Sequence, residues 1–447
     1  MSRKALLFSL SISVAAGAGM VACGGGNDVA PVASPTPSPG PTPTPAPTPT
    51  PAPTPTPTPA PAPSPPSPPP PPPPAAPFEI NVQTPPPATS SGVNPKLTLF
   101  ATGLSTPWSM AFLPDGRLLV TQKPGQLRLI SADGTTASAP ISGVPTVDAR
   151  DQGGLLDVAI DPQFATNRRV YLTFSEPVVA GSTNRTAVAR GDLSADAASL
   201  QNVSVIFRQS PEKSSTGHFG SRIVFRPDGT LFVTLGERQG FPTEAQLLNS
   251  QLGKVVRINA DGSIPSDNPY ATSADIATRP IWSYGHRNPQ AAALHPVTGE
   301  LWVTEHGPQG GDEVNVALPM RNFGWPNVSY GCNYGDPVGT NCRYGGGTHN
   351  APYTPPLAFW YPTSTAPGGA MFYTGDKFPE WKGSFFVGGL AGNKTLYRLV
   401  VNSANSAIVG QEPFFAAQHE IRDLKQGPDG WIYMISRNAN AIYRIER

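Results

Sequence analysis

Short runs in which apolar and polar residues alternate follow one another through residues 94–447, and each run is bounded by Gly, Pro or Asp. Helical periodicity is scarce in the same part of the chain. A turn followed by a strand recurs along it, and the strands read RLLVTQ, RRVYLTFS, TLFVTLGE, ELWVTEHG, SFFVGGL and WIYMISR. Six copies give roughly 60 residues per unit, about the size of a four-stranded blade with long loops. The pattern therefore predicts an all-β fold, a six-bladed β-propeller.

Two further elements are predicted at particular places. KLTLFATGL, residues 96–104, is expected to pair with the carboxyl-terminal blade and close the disc, because an unpaired edge strand promotes aggregation. One short helix is predicted over residues 243–251, with Thr243 as its N-cap and Leu247, Leu248 and Leu252 facing inward. Loops at one end of a propeller channel converge, so polar residues that are distant in the sequence can share one pocket.

The amino-terminal segment has the layout of a secretory signal. Residues 1–22 comprise a basic start, an apolar run too short to span a membrane, and a small-residue end. MVAC at residues 20–23 resembles a bacterial lipobox, which predicts cleavage before Cys23 and lipidation of its thiol; plain secretion is the alternative. Gly24 after the cysteine resembles the outer-membrane sorting pattern, so we expect an outer-membrane lipoprotein that faces the periplasm or the exterior.

Residues 23–93 are expected to form a spacer. Residues 31–87 hold 29 of the chain's 57 prolines, and Thr, Ala and Ser make up most of the rest. Such a segment has too few apolar side chains for a core and favours a semi-rigid polyproline II chain at about 3.1 Å per residue. The predicted organisation is a signal peptide at residues 1–22, a lipidated and disordered Pro-rich linker at residues 23–93, and a propeller at residues 94–447.

Charge and cysteine content narrow the classes of partner. The formal net charge of the 447-residue chain is +1, so neither a nucleic-acid surface nor a polybasic membrane patch is expected. Membrane attachment would come through the lipid alone. Of the three cysteines, Cys332 and Cys342 lie close together in a Gly- and Asn-rich loop, and outside the cytoplasm such a pair most simply forms a disulfide.

Polar groups concentrate in two turns between residues 281 and 316. The turn GHRNPQ, residues 285–290, places a guanidinium, Arg287, beside an amide, Asn288, which suits a flat ligand edged with carbonyls or carboxylates. The loop EHGPQGGDE, residues 305–313, crowds backbone carbonyls and carboxylates together, which suits a hard cation such as calcium. The alternative is two ordinary turns in which Gly, Pro, Asn and Asp serve only as turn formers.

A histidine and a glutamate one strand apart are the candidate acid–base pair. His218 opens the third blade copy in a Gly-rich loop, and Glu237 follows the next strand, where its carboxylate could orient the imidazole and raise its basicity. A purely structural His218 is the alternative. The sequence has no GxSxG elbow, zinc-spaced cluster, P-loop or dinucleotide fingerprint, so nucleophilic hydrolysis and nicotinamide chemistry are unsupported.

Several motifs in succession resemble one known family. QGGLLDVAIDPQF, GHFGSRIVFRPDGTLFVTLGE, LGKVVRINADGSIPSDNP, IWSYGHRNPQ, EHGPQGGDEVNV and NFGWPNVSYG are similar, in this order, to the soluble aldose sugar dehydrogenases that use pyrroloquinoline quinone (PQQ). The similarity covers residues 97–447. The family is a six-bladed propeller with quinone and calcium at the channel mouth, so the resemblance implies the same fold as the repeats.

The resemblance also implies roles for individual residues. His218 would take the proton from the anomeric hydroxyl of the sugar while hydride passes to the quinone C5 carbon, and Glu237 would align His218. Arg287 would polarise the C5 carbonyl, an electrostatic contribution of roughly 2.7–4 kcal/mol by analogy with one oxyanion donor. Asn288 and Gln152 would hold the quinone and the substrate edge.

The family's metal and sugar positions carry over in the same way. The main-chain carbonyls of Gly307 and Pro308 would bind the calcium that bridges to the quinone. Asp312 and Glu313 match the positions of a second, structural calcium. Residues 360–361, Trp360 and Tyr361, fall where the family offers an aromatic surface to sugar, and a buried core role is the alternative for them.

Two departures from the family concern cofactor binding. The last blade commonly carries an R-x-R-D pattern that faces quinone carboxylates; here Arg422 is kept and Glu420 stands at the other position. Ala391 stands where some members have a lysine, with Lys394 nearby as a substitute. The loss of two cations is expected to weaken binding, at roughly 1.5–3 kcal/mol per charged hydrogen bond.

The expected function is oxidation of the C1 hydroxyl of aldoses to lactones with PQQ and calcium, with electrons passed to an external acceptor. The main alternative is a propeller of the same descent that binds a ligand or protein without redox turnover, which Glu420 favours. A calcium-dependent lactonase would require several carboxylates converging on one metal in the channel, and the sequence offers too few.

Overall fold

The computed structural model describes residues 84–339, 342–347 and 349–447. Strands make up nearly all of its regular structure. In chain order they are β1 (Lys96–Ala101), β2 (Pro107–Phe112), β3 (Leu118–Gln122), β4 (Gln126–Ile130), β5 (Leu155–Ile160), β6 (Arg169–Pro177), β7 (Asn184–Leu193), β8 (Leu200–Arg208), β9 (Gly220–Phe225), β10 (Leu231–Leu235), β11 (Lys254–Ile258), β12 (Ile281–Tyr284), β13 (Pro289–Leu294), β14 (Leu301–Glu305), β15 (Asp312–Val316), β16 (Ala358–Trp360), β17 (Pro367–Phe372), β18 (Phe385–Gly389), β19 (Leu396–Val401), β20 (Ile408–Phe414), β21 (Ile421–Gln426), β22 (Ile432–Ser436) and β23 (Ala441–Glu446). Helices are short: α1 (Phe164–Asn167) and 3-10 turns at Pro242–Gln246, Tyr344–Gly346 and Pro379–Trp381.

The strands form six antiparallel sheets, which confirms the predicted six-bladed propeller. The sheets are β2-β3-β4, β5-β6-β7-β8, β9-β10-β11-β12, β13-β14-β15-β16, β17-β18-β19-β20 and β21-β22-β23-β1, here called blades 1 to 6. The first strands of neighbouring blades contact one another in a closed ring, so β2, β5, β9, β13, β17 and β21 surround the central channel. β1 pairs with β23, with Lys96 opposite Glu446, so the predicted closing strand is confirmed, although it ends at Ala101.

The second strand is buried along its whole length in five of the six blades, and in blade 2 β6 is half-buried at its two ends. β3, β10, β14, β18 and β22 carry no exposed position, because neighbouring blades cover both faces of the sheet. Large aromatic side chains fill the space between blades. Trp302 of blade 4, for example, meets the rings of Phe372 and Phe385 of blade 5 edge-on, at centroid distances of 5.2 and 5.4 Å. This packing accounts for the apolar runs that mark the repeats.

One arginine ties all six innermost strands together. The Arg222 guanidinium, on β9, lies 3.1 Å from Asp157 of blade 2 and 2.9 Å from Asp423 of blade 6. It also donates to Ser109 Oγ of blade 1 and to the carbonyls of Gln290 in blade 4 and of Gly368 in blade 5. A buried guanidinium with two carboxylates and further acceptors is fully compensated. This cluster closes the channel beneath the pocket described below.

The helix predicted over residues 243–251 is wrong in type and length. The structure has a 3-10 turn at Pro242–Gln246, and Leu247 is 48% exposed while Leu252 is buried. The Lys254 ammonium donates to the carbonyls of Glu244, Ala245 and Leu252. The Ala245 carbonyl also accepts from the backbone N–H of Gly285, so tertiary partners occupy a carbonyl that a longer helix would use.

The folded region begins earlier than residue 94. The backbone of residues 86–88 hydrogen-bonds on both sides of Gln411 in β20, and Ser91 N donates to Glu412. This short parallel pairing covers the outer edge of blade 5, which would otherwise be open. The end of the predicted spacer is therefore part of the propeller. The signal peptide, Cys23 and the spacer up to residue 83 lie outside the described residues.

Cys332 and Cys342 form the predicted disulfide, with Cα atoms 5.1 Å apart. It closes part of the long loop between β15 and β16.

None of the helices in the described ranges is long and apolar enough to cross a membrane.

Candidate active site

Residues from every blade meet at one end of the channel, and most blades contribute polar ones. In an antiparallel blade, the start of the innermost strand and the end of the second strand lie at the same face of the disc. A cavity of about 320 Å³ opens at this face. The side chains that line it include Trp108, Lys123, Asp151, Gln152, Phe219, Gln290, His306, Leu390, Arg422 and Arg437. Each comes from one of these two positions in its blade, so the blade repeat itself assembles the site.

His218 and Glu237 face each other across β9 and β10. His218 Nδ1 lies 2.6 Å from Glu237 Oε2, and the His218 backbone N–H donates to Gln152 Oε1 at 3.0 Å. His218 has the left-handed φ of +48°, a conformation that costs energy for a residue with a Cβ. Gly236 permits the close approach, because a Cβ there would lie 2.1 Å from the His218 carbonyl oxygen. The imidazole is therefore held rigidly.

The charge state of His218 suits a base. Burial lowers the pKa of the His218 imidazole, and the nearby Arg287 and Arg238 lower it further, while Glu237 opposes the shift. A neutral imidazole whose Nδ1–H group donates a hydrogen bond to the Glu237 carboxylate has its lone pair on Nε2. Among the described residues, no hydrogen bond to that Nε2 is present. His218 can therefore accept a proton at Nε2.

Arg287 and Asn288 are fixed by the neighbouring loop. The Arg287 backbone N–H donates to Glu305 Oε2, and its Nη1 donates to the carbonyl oxygens of His306 and Gly307 at 3.0 and 2.6 Å. Asn288 Oδ1 accepts from the backbone N–H of Gly220. Arg287 Nε and Asn288 Nδ2 are nevertheless buried donors without a partner. Such groups are costly unless a ligand accepts from them.

Arg422 is a third buried donor without full compensation. Its guanidinium packs over the Trp108 ring at 4.6 Å and donates to Gln290 Oε1, but its Nε has no partner. Within the described part of the chain, no carboxylate lies within ion-pair distance of Arg422. Arg222 packs on the same Trp108 ring at 4.4 Å. A buried, unpaired guanidinium at a cavity wall calls for an anionic or acceptor-rich ligand.

His306 lies between the two halves of the site. Its Nε2 donates to the Pro367 carbonyl oxygen at 3.0 Å, so the neutral ring has its lone pair on Nδ1. Burial holds the pKa of His306 well below its usual value, and the positive charges of Arg422 and Arg287 act in the same direction. His306 therefore stays uncharged among these cations.

Asp312 secures the loop that follows His306. Its Oδ1 accepts from the backbone N–H of Gly307 at 2.9 Å. Its Oδ2 accepts from the hydroxyl of Ser364 and from the backbone N–H groups of Thr365 and Ala366 at 2.6 to 2.7 Å. Oδ1 therefore closes the loop within blade 4, and Oδ2 joins blade 4 to the segment that leads into blade 5. Burial raises the pKa of Asp312, and these hydrogen bonds oppose that shift.

Two of the four predicted metal positions, Gly307 and Glu313, line a second, smaller pocket together with Glu305, whereas Pro308 and Asp312 do not line it. Burial and the neighbouring Glu305 carboxylate raise the pKa of Glu313 well above its usual value. Among the residues that the structure describes, no three His, Cys, Asp or Glu side chains form a metal site. A cation here would therefore depend on main-chain carbonyls such as those of Gly307 and Pro308, the kind of oxygen ligand that calcium accepts.

Two predicted substrate residues lie away from the cavity. Trp360 is only 3% exposed, on the outermost strand of blade 4, and its Nε1 donates to Gln411. The Tyr361 hydroxyl bonds with the backbone of Gly339 in the disulfide loop, and Arg343 stacks on its ring. These contacts give both residues packing roles. Trp108 and Phe219 are the aromatic side chains that line the cavity instead.

The two departures from the family pattern meet at the cavity rim. Glu420 pairs with Lys394 at 3.1 Å and with Arg437 at 2.8 Å. Its charge is therefore compensated by two cations. Sequence reasoning missed Trp108, Lys123, Gln290, His306 and Arg437, although each stands at a blade position that matches a recognised site residue. This equivalence of positions in the blade repeat was the signal in the sequence that could have identified them.

Comparisons with known proteins agree with this geometry. Residues 104–444 match the Glucose / Sorbosone dehydrogenase family model. The aldose sugar dehydrogenase YliI of Escherichia coli is 41% identical over 336 residues, which cover 74% of this chain and 87% of the relative. A crystal structure of a glucose dehydrogenase superposes with a TM-score of 0.73 at 42% identity, over 79% of this chain and 99% of the other. The PQQ-bound form of an aldose sugar dehydrogenase from Streptomyces coelicolor gives a TM-score of 0.65 at 26% identity, over 80% and 99%.

Proposed function

The chain belongs to the glucose/sorbosone dehydrogenase family, and on that premise we propose that this sugar dehydrogenase oxidises the C1 hydroxyl of an aldose to a lactone with bound PQQ and calcium. One observation carries the proposal. Three buried donors have no partner: Arg422 Nε at the cavity, Arg287 Nε at the smaller pocket beside it, and Nδ2 of Asn288, whose Oδ1 accepts from the cavity residue Gly220. The uncharged His306 lines both pockets. A flat quinone with carboxylates and carbonyls offers acceptors to such donors.

The cofactor-binding residues follow from these contacts. Arg287, Asn288 and Arg422 would hold the quinone, and Gln152 would meet the quinone and substrate edge, since its Oε1 already orients the loop of His218. When bound, the quinone with its calcium would accept the hydride that leaves C1. Lys394, predicted as a substitute cation, forms an ion pair with Glu420. We propose that it contributes to cofactor binding through this ion pair.

The chain's own residues supply the proton chemistry. His218 Nε2 would take the proton of the C1 hydroxyl as C1 loses its hydride, and the C1–O bond would become the lactone carbonyl. The Glu237 carboxylate, 2.6 Å from Nδ1, would stabilise the imidazolium that forms. Arg287 would stabilise negative charge that develops on the acceptor, because its guanidinium is fixed by the His306 and Gly307 carbonyls before reaction.

Calcium would be held by the main-chain carbonyls of Gly307 and Pro308, and it would share the Gly307 oxygen with Arg287 Nη1, which donates to it. The hydrogen bonds of Asp312 hold the tight loop of residues 307–312 in place, so that these two carbonyls would bind the ion without side-chain ligands. For the second, structural calcium predicted at Asp312 and Glu313, Glu313 would be the ligand side chain, because both Asp312 oxygens already accept hydrogen bonds.

Reconstitution tests this function. The full-length chain, purified in detergent, is mixed with PQQ and calcium, and dye reduction is measured with a panel of aldoses. We expect turnover with at least one aldose and its loss in His218→Ala. No turnover at saturating quinone, with His218→Ala indistinguishable from the parent, would favour the alternative of a propeller that binds without redox chemistry.

We further propose that the chain is anchored through lipidated Cys23 at the outer membrane and passes electrons to an external acceptor. The lipobox and the Pro-rich spacer support this proposal. In a Gram-negative host, the parent should partition into the detergent phase of a phase-separation assay, and Cys23→Ser should remain in the aqueous phase. Equal partitioning of the two would contradict the anchor.

A further inference from the structure

The cavity wall is more cationic than the recognised residues suggest. Lys123, Arg422 and Arg437 all line it, whereas Asp151 is the only carboxylate on its lining. Arg222 lies just beneath, but Asp157 and Asp423 compensate its charge. The lining therefore has an excess of positive charge, which Asp151 and the Glu420 partner of Arg437 balance only in part and a polyanionic ligand would balance further.

Arg437 is held at the cavity by the residue that breaks the family pattern. Its Nε and Nη2 both lie 2.8 Å from Glu420 Oε2, and its backbone N–H donates to the Glu420 carbonyl oxygen. The side chain remains 44% exposed, so part of the guanidinium stays available. Lys394 binds the other Glu420 oxygen. Glu420 thus fixes a cation at the rim instead of leaving a free negative charge there.

Lys123 stands across from Arg437 at the end of the second strand of blade 1. Burial lowers the pKa of Lys123, Asp151 opposes that shift, and the charge of Arg437 adds to it. Two cations within electrostatic reach of each other repel, unless an anion lies between them. Lys123 has no carboxylate within ion-pair distance among residues 84–339, 342–347 and 349–447, so its ammonium is free to bind a ligand.

On the premise of the quinone-dependent function above, we propose that Lys123 and Arg437 bind carboxylates of the quinone. They replace the cations that the family carries at positions 391 and 420, and Glu420 is a positioning residue for Arg437. With Arg422, the chain then has three cations for a tricarboxylate. A carboxylate-bearing sugar could offer the same chemistry to the rim, so the test separates the two ligands.

Direct binding measurements test the proposal without turnover. PQQ is titrated into the full-length chain with calcium present, and quenching of tryptophan fluorescence is followed, since Trp108 lines the cavity. Lys123→Gln and Arg437→Gln are each expected to raise the Kd about tenfold or more, and the raised Kd should depend less on salt. Arg117→Gln is the matched control: its side chain is similarly exposed and ion-paired, but it lies in the turn at the opposite end of blade 1.

Glu420→Gln distinguishes positioning from repulsion. If Glu420 repelled the quinone, its removal would tighten binding; as a support for Arg437, its removal should raise the Kd. Tighter binding in Glu420→Gln would overturn the proposal, as would parental Kd values in both Lys123→Gln and Arg437→Gln.

The remaining outcomes are equally decisive. Parental quinone affinity combined with a raised KM for glucuronate but not glucose would assign the two cations to an acidic sugar and overturn the proposal. If the parent does not bind PQQ at all, this inference and the proposed function fail together. If the parent binds PQQ tightly, the cation variants bind weakly, and no aldose is oxidised, this inference stands and the proposed function fails.

Discussion

His218 Nδ1 lies 2.6 Å from Glu237 Oε2, on the loop ends of two adjacent strands of one blade. This contact fixes the tautomer and leaves Nε2 as the only proton acceptor of the ring. His218→Ala should therefore lower kcat by roughly 10²–10⁴, the range for a general base, with little change in quinone Kd.

Glu237→Gln should lower kcat by about tenfold or more. The glutamine amide can donate its N–H group to His218 Nδ1, which would move the proton of the imidazole to Nε2 and reverse the tautomer. Steady-state kinetics beside quinone titrations check both values, and weakened quinone binding as the sole effect would contradict the role.

The pH dependence follows from the environment of His218. Burial and two arginines hold its pKa below 6.5, so the neutral base persists to more acidic pH than for a free histidine. The acidic limb of kcat/KM should accordingly have an apparent pKa below 6.5, with a plateau above it. The Glu237 carboxylate raises the pKa of His218, so Glu237→Gln should move the limb to still lower pH. An unmoved limb, or one at or above pH 6.5, would argue against His218 as the base.

Arg287 should be sensitive to a charge-conserving change. Its guanidinium donates to two carbonyls at once and keeps Nε free, which a lysine ammonium cannot reproduce. We expect Arg287→Lys to lower kcat by roughly 10²–10³, comparable to the loss of one oxyanion donor. A variant with parental kcat and only a higher KM would show that Arg287 contributes to binding alone.

Calcium removal should affect both activity and stability. Because the predicted ligands are main-chain carbonyls, chelation should abolish turnover, and calcium should restore it better than magnesium, which demands stricter octahedral geometry. Binding to the folded state alone should stabilise it by about 2.7 kcal/mol at 100 times Kd. Thermal unfolding with and without calcium measures this difference. Equal Tm and equal activity after chelation would exclude the site.

Arg222 should matter for stability more than any exposed ion pair. Its removal in Arg222→Met leaves Asp157 and Asp423 buried without compensation, a loss of about 3–5 kcal/mol. The exposed pair of Arg117 and Asp115 provides the control, for which Arg117→Met should cost at most about 1 kcal/mol. Urea unfolding distinguishes the two. Similar effects would show that the Arg222 cluster does not hold the six blades.

Much of the fold could be predicted because its determinants are local. Turn residues and alternating strands repeat in each blade, so the blade count and the closing strand follow from the sequence. The helix predicted over residues 243–251 is wrong because the early end of the turn depends on a tertiary contact. The ammonium of Lys254, on the following strand, binds carbonyls of the turn. The start of the propeller was missed for a related reason, since residues 86–91 are ordered by partners in blade 5.

Within the site, motif residues were easier to recognise than cations. His218, Glu237, Arg287 and Asn288 lie in distinctive turns, and the structure brings them to one face. Lys123 and Arg437 look like ordinary surface charges in the sequence, and only closure of the disc places both on one cavity wall. Glu420 illustrates the same limit, because its partners come from a neighbouring strand and from blade 5.

The most direct test of a base-assisted C1 oxidation is a single-turnover experiment. The calcium- and quinone-loaded protein is mixed anaerobically with an aldose that it oxidises in steady state, and the absorbance of the bound quinone is followed in milliseconds to seconds. We predict rapid reduction, slowed by deuterium at C1 and by at least about 100-fold in His218→Ala. Absence of any quinone reduction by aldoses at saturating cofactor and calcium would contradict the account.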